Sequence, residues 1–138
     1  MQLQPNKAQA RLTTELEAAK VPVISSWIAA HAARAGLDEP NCFQLKVVTA
    51  EALNNIFEHS SGGSDAPVIQ LQCETTAACF QVTLIDHGKP LGKLPTGKIP
   101  SPDYLRGRGW PIILNWTDHC EYRVTDGLNR LVMRKTLP

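Results

Sequence analysis

Glu51 and Asn55 stand four residues apart in the run Glu51-Ala52-Leu53-Asn54-Asn55, and Glu58-His59 follows one turn later. On a helix that spacing stacks a carboxylate and an amide on one face. A carboxylate there can orient or accept a hydroxyl proton, and an amide oxygen suits a hard cation. A second group, Leu84-Ile85-Asp86-His87-Gly88-Lys89-Pro90, is an apolar strand that ends in an acid, with a glycine two residues on. A third, Arg106-Gly107-Arg108-Gly109-Trp110-Pro111, sets glycines and two forked cations at the mouth of a helix. Free backbone amides at such a place point toward an anion, and arginine suits phosphate. Each group also has a plainer meaning: a solvated helical stripe, an ordinary turn after a strand, a flexible basic loop. Neither G-x-x-x-x-G-K-[ST] nor G-x-G-x-x-G occurs.

The elements around these residues must hold them in place. Apolar residues at helical spacing predict one helix over 22–34, carried by Val23, Ile24, Trp27, Ile28 and Ala32 and stopped by Gly36. His31 on it reads as a partly buried imidazole. A longer helix over 41–59 carries Glu51 and Asn55, with Phe43, Val47, Ala50, Asn54 and Phe57 along one side. Leu45, Val48, Ala52 and Ile56 widen its apolar surface, so much of it should be buried. Small and turn-forming residues over 60–65 end it. A first strand is expected over 8–14, and Thr14 with Glu17 has the form of a capping box. Alternation predicts strands over 68–73 and 80–85, then a long, proline-rich loop over 86–102. A short helix over 111–118 and strands over 121–124 and 128–135 follow, the last two joined by the hairpin signal Asp126-Gly127. Strands in hairpins with helices between them imply an α+β, two-layer α/β sandwich: a mixed, mostly antiparallel sheet with helices on one face.

The chain has 138 residues, expected to be one domain over 1–138. Fourteen Lys and Arg against thirteen Asp and Glu leave a net charge of +1. That balance supplies no broad field for nucleic acid or an anionic membrane, so any phosphate must be held locally. No apolar run approaches membrane-spanning length, and the first ten residues lack a secretory pattern, which points to the cytoplasm. Cys42, Cys73, Cys79 and Cys120 form no C-x-x-C pair and read as small core or surface residues.

Taken together and in this order, the three groups resemble the N box (51–59), G1 box (86–90) and G2 box (107–118) of GHKL-type ATP-binding domains, which have the Bergerat-type fold. The Glu51-Ala52-Leu53-Asn54-Asn55 form, the D-x-G-x-P of Asp86 to Pro90 and the Gly107-Arg108-Gly109-Trp110-Pro111-Ile112-Ile113 run are similar to those of the anti-sigma-factor serine kinases. The resemblance implies ATP and Mg²⁺ as ligands, with Asn55 as the metal ligand and Glu51 as general base toward an acceptor serine. It implies that Asp86 accepts a hydrogen bond from the adenine amino group beside Gly88. His59, Arg106, Gly107, Arg108 and Gly109 would complete the nucleotide site, the glycine amides and arginines meeting the phosphates. Pro90 stands where many GHKL proteins carry glycine, and the segment over 91–105 is short for the lid of gyrase or heat-shock relatives.

The activity so implied is that of a protein serine kinase in a bacterial partner switch. It would hold a sigma factor or equivalent regulator and phosphorylate a serine on an anti-sigma factor antagonist. A homodimer is also implied, with no direct nucleic acid or membrane contact. The rival reading is a non-catalytic, nucleotide-binding module that acts by competitive binding alone. Glu51 speaks mildly against it, because binding alone has little use for that carboxylate.

Overall fold

The structure, a computed structural model, describes residues 8–60, 67–88 and 109–138. Alternating side chains build five strands: β1 (Ala8–Glu15), β2 (Val68–Thr75), β3 (Cys79–Asp86), β4 (His119–Thr125) and β5 (Leu128–Thr136). They form one sheet in the order β1-β2-β3-β5-β4, and every pairing is antiparallel. Three helices accompany them: α1 (Val21–Ala35), α2 (Glu39–Ser60) and α3 (Gly109–Asn115).

The two faces of the sheet differ in kind. Phe80, Val82 and Leu84 of β3 share one face with Leu71 and Cys73 of β2 and with Leu131 and Met133 of β5. These residues are buried in a single core with Ile24, Ile28 and Ala32 of α1 and Leu45, Val48, Ala52, Leu53 and Ile56 of α2. The opposite face is mostly polar and internally bonded, with Ile85 and Val132 as apolar exceptions. Gln9 Nε2 donates to Glu74 Oε1 at 3.1 Å, Gln81 Nε2 to Glu74 Oε2 at 3.5 Å, and Arg134 Nε to Gln81 Oε1 at 2.6 Å. Arg134 also lies 3.7 Å from Glu121 of β4, so the chain of contacts crosses all five strands. A sheet apolar on one side and polar on the other requires helices on one face only, which is the two-layer α+β arrangement expected.

Local signals act where the sequence places them. Gly36 takes φ 109° at the end of α1, and its neighbour Leu37 donates to Ala32 O at 3.1 Å, the left-handed stop that glycine permits. Asp126 and Gly127 take φ 54° and 76°, the two-residue hairpin turn that matches strand twist. His31 is partly buried and meets Trp27 edge-on, with ring centroids 4.6 Å apart.

Other expectations need correction. The capping box at Thr14 does not form. A 3-10 turn occupies Ala18–Lys20 without a side-chain cap, and Thr14 Oγ1 instead donates to Glu15 O and accepts from Lys20 Nζ. Strand β1 runs one residue further than expected, to Glu15, so Thr14 lies within the strand opposite Ile69 rather than at its end. On α2 the stripe led by Phe43 is not the core face, since Phe43 is 60% exposed. The adjacent stripe of Leu45, Val48, Ala52, Leu53 and Ile56 is the buried one. Val23, placed on the apolar side of α1, is 68% exposed. Helix α3 begins at Gly109 and ends at Asn115, earlier at both ends than expected, and Thr117 Oγ1 bonds back to Ile113 O at 2.7 Å. The long loop over 86–102 and the turn-forming run over 60–65 fall almost entirely outside the described residues.

Candidate functional site

Asp86 is the last residue of β3, only 7% exposed, on the same face as the core residues Leu84 and Val82. A carboxylate so placed needs donors, and it has two. Its Oδ1 accepts from the Gly88 backbone N–H at 2.8 Å and from Asn129 Nδ2 at 2.9 Å. The Gly88 bond makes Asp86-His87-Gly88 an Asx turn, so the acid shapes the backbone that follows it. Asn129 Nδ2 also donates to the Gly88 carbonyl at 2.8 Å. Among the described residues Oδ2 of Asp86 takes no hydrogen bond, which leaves it to a ligand.

Asn129 was not among the residues expected at the site. It faces Asp86 in register across β3 and β5 and is 1% exposed. The signal was present: Asn129, Leu131 and Met133 occupy one face of β5 by period, and an asparagine at an inward strand position needs partners. What the sequence does not show is which residue supplies them.

Helix α2 brings the second half of the site. Its start is anchored by a buried lysine. Lys135 of β5, 4% exposed, donates from Nζ to Asn41 Oδ1 at 3.0 Å and to Gln44 Oε1 at 2.6 Å. Burial pushes its ammonium pKa below the usual lysine range, while Asp118 and Asp38 oppose the shift. Asp38 opens the helix, accepting on Oδ1 from the Asn41 N–H at 3.0 Å. From Gln44 to Asn55 a helix rises roughly 17 Å, and from Lys135 back to Asn129 a strand spans roughly 20 Å. The two lengths match, so α2 is long enough to carry Glu51 and Asn55 from the Lys135 anchor to the end of the sheet that holds Asp86 and Asn129.

Glu51 and Asn55 are both half-buried, on consecutive turns of α2. Asn55 Nδ2 is buried with no hydrogen-bond partner. Glu51 makes no hydrogen bond or ion pair among the described residues. A carboxylate and an amide kept unpaired against an apolar core are costly to stability unless a ligand meets them. The unpaired Asn55 N–H calls for an acceptor such as a phosphate oxygen, and the oxygen of the same amide is of the carbonyl type that a hard divalent cation takes. His59 lies on the last turn of α2, its side chain outside the described residues. Gly109 begins α3, and Arg106, Gly107 and Arg108 lie outside the described residues. A cavity of about 600 Å³ at the other end of the sheet, lined by His31, Arg34, Thr75, Thr76 and Leu137, contains none of these groups.

The strand-end acid and the half-buried carboxylate and amide on α2 agree with comparison to known families. The family model of the histidine kinase-like ATPase domain matches residues 14–135. The chain belongs to this family. The match runs from the end of β1 to the penultimate described position of β5, so it takes in every element that positions Glu51, Asn55, Asp86 and Asn129. No curated protein matches the chain. A histidine kinase-like ATPase domain binds ATP, and the five-stranded antiparallel sheet with its helices is the fold of that family. Among the described residues no helix is long and apolar enough to cross a membrane. Nor, among the described residues, do three or more His, Cys, Asp or Glu residues gather into a metal-holding group.

Proposed function

We propose that this ATPase domain is a protein serine kinase of a bacterial partner switch, acting on an anti-sigma factor antagonist and holding a sigma factor or equivalent regulator as a homodimer. The observation that carries the proposal is the pair on α2: a half-buried carboxylate, Glu51, with no partner among the described residues, one turn from Asn55, whose buried amide nitrogen has none there either. A domain that only bound nucleotide would gain nothing from keeping that carboxylate half-buried and free.

In this reading Asp86 Oδ2 accepts from the adenine amino group, and the Asx turn through Gly88 sets the backbone beside the base. Asn55 would hold Mg²⁺ through its amide oxygen, and the ion would supply positive charge against the triphosphate. Arg106 and Arg108 neutralise the remainder, with the amides of Gly107 and Gly109 against the phosphates and His59 completing the nucleotide site. Glu51 accepts the proton of the incoming serine hydroxyl as its oxygen bonds to the γ-phosphorus. The bond from that phosphorus to the β–γ bridging oxygen breaks, and ADP leaves. The phosphoserine adds nearly two negative charges at pH 7. That charge expels the antagonist and frees the domain for its regulator.

The test is direct. Incubation with ATP, Mg²⁺ and candidate antagonist domains from the source cell, read by mass spectrometry, should place phosphate on one serine of one antagonist. Retention of the regulator that depends on ATP rather than ADP, with no phosphate transferred to any antagonist, would establish the non-catalytic module in place of the kinase.

A further inference from the structure

Strand β4 lies at one end of the sheet order, so one of its edges carries backbone N–H and C=O groups that no neighbouring strand meets among the described residues. Such an edge is a template for another chain, and its side chains decide which chain fits. Along β4 the two faces differ. Cys120, Tyr122 and Val124 stand opposite Met133, Leu131 and Asn129 on the helix side of the sheet. Cys120 and Tyr122 pack against the core, whereas Val124 at the rim is 48% exposed. His119, Glu121 and Arg123 lie on the helix-free side, where Arg130 and Arg134 of β5 join them.

The charge on that side does not balance. Glu121 is the only acid in β4 and β5, and it is shared by Arg123 at 2.8 Å, His119 at 3.5 Å and Arg134 at 3.7 Å. Arg130 is exposed, faces Arg123 directly across the ladder and has no acid partner among the described residues. Like charges directly opposite one another destabilise a sheet, so this pair favours a carboxylate that the two strands do not contain. A second copy of β4 would bring the same excess of arginine and add cations to cations. An acidic chain balances it.

We propose that the free edge of β4 is a docking site for an extended segment of a partner protein, alternating apolar and acidic residues, that joins the sheet as a sixth strand. Its backbone pairs with the open N–H and C=O groups of β4. Its apolar residues extend the layer of Tyr122 and Val124, and its acids lie beside Arg123 and Arg130. Cations along an edge also discourage pairing between copies, which keeps β4 open for such a segment. None of these side chains is assigned to the nucleotide, so docking here goes beyond the kinase reading and does not depend on it.

Fluorescence anisotropy on the full chain reads the docking, with two labelled peptides that alternate valine with glutamate or valine with lysine along the length of β4. The glutamate peptide should bind, and its affinity should fall by about tenfold or more from low to high salt. The lysine peptide should bind at least about tenfold more weakly. A glutamate peptide N-methylated along its backbone keeps the charge but cannot pair as a strand, and it should lose about tenfold or more as well. At saturation with the glutamate peptide, the backbone amides of β4 should shift in NMR spectra and gain protection from exchange. Arg123→Glu with Arg130→Glu, folded by circular dichroism, should reverse the order of the two peptides and leave Mg-ATP affinity unchanged. Equal binding of the glutamate and lysine peptides, or undiminished binding of the methylated one, would overturn the proposal without any variant. Displacement of the peptide by single-stranded DNA at a lower concentration than by unlabelled peptide would make the patch a nucleic-acid contact. Protection of the β4 amides in the free protein that grows with its concentration would give the edge to a second copy. Either result overturns it too.

Discussion

Glu51 and Asn55 stand one helical turn apart on α2, both half-buried, and the Asn55 amide nitrogen has no hydrogen-bond partner among the described residues. Neighbours at this spacing share a face, so a ligand that meets one meets the other. Their chemistries separate cleanly. A carboxylate without a protein partner serves a proton, and an amide serves a cation or its nucleotide.

Glu51→Ala should therefore reduce phosphoryl transfer by about a hundredfold or more, with affinity for Mg-ATP within about threefold of wild type. Asn55→Ala should weaken Mg-ATP itself by about tenfold or more. A radiolabel transfer assay and calorimetry, run on the same preparations, give the two numbers. Transfer at the wild-type rate by both variants would remove these residues from the mechanism.

Asp86→Asn keeps the shape of the side chain and its Oδ1 acceptor for Gly88 and Asn129. The other oxygen becomes an N–H that opposes the adenine amino group. A hydrogen bond to a charged group contributes about 1.5–3 kcal/mol, so nucleotide affinity should fall by about ten- to a hundredfold. The thermal midpoint should stay close to that of wild type. A large loss of stability with unchanged affinity would make Asp86 a structural acid only.

Lys135→Met leaves Asn41 Oδ1 and Gln44 Oε1 without their donor, and unsatisfied buried acceptors cost about 1–3 kcal/mol. Chemical denaturation should show the loss. The pH dependence has a definite sign. Burial holds the folded-state pKa of Lys135 below its unfolded value, so between the two the unfolded chain binds more protons and stability rises with pH. The window lies below the ordinary lysine value of about 10.4. The stability difference between wild type and Lys135→Met should shift in favour of wild type as pH rises through that window. A difference independent of pH there would contradict the burial of a charged lysine.

Gly127 takes φ 76° in the turn between β4 and β5, and a Cβ added there would meet nothing within 4 Å. Space is therefore not the issue; backbone strain is. Gly127→Val should destabilise the protein by about 1–2 kcal/mol, read from denaturant midpoints. Asp126→Gly, which relieves the φ of 54° beside it, should cost far less. Equal losses from the two would mean that the hairpin does not require its left-handed turn.

The local features of this chain were legible in the amino-acid order because their causes are local. Gly36 stops α1, Asp126-Gly127 turns the last hairpin, and helical and strand periods mark α1, α2 and the strands, each set by residues within a few positions of one another. The order of the three motifs likewise announced an ATP-binding domain, since Glu51 to Asn55 and Asp86 to Gly88 are contiguous patterns. Tertiary structure alone decided the rest. Asn129 reaches Asp86 across 43 positions, and Lys135 reaches Gln44 across 91. Neither pairing has a periodicity to betray it, because sheet register and helix docking choose partners only once the chain has closed. The same holds for α2, where two adjacent apolar stripes were available and packing on the sheet buried Leu45 and Leu53 rather than Phe43. It holds for Thr14 too, whose hydroxyl was free to cap a helix until β1 took the residue into the sheet.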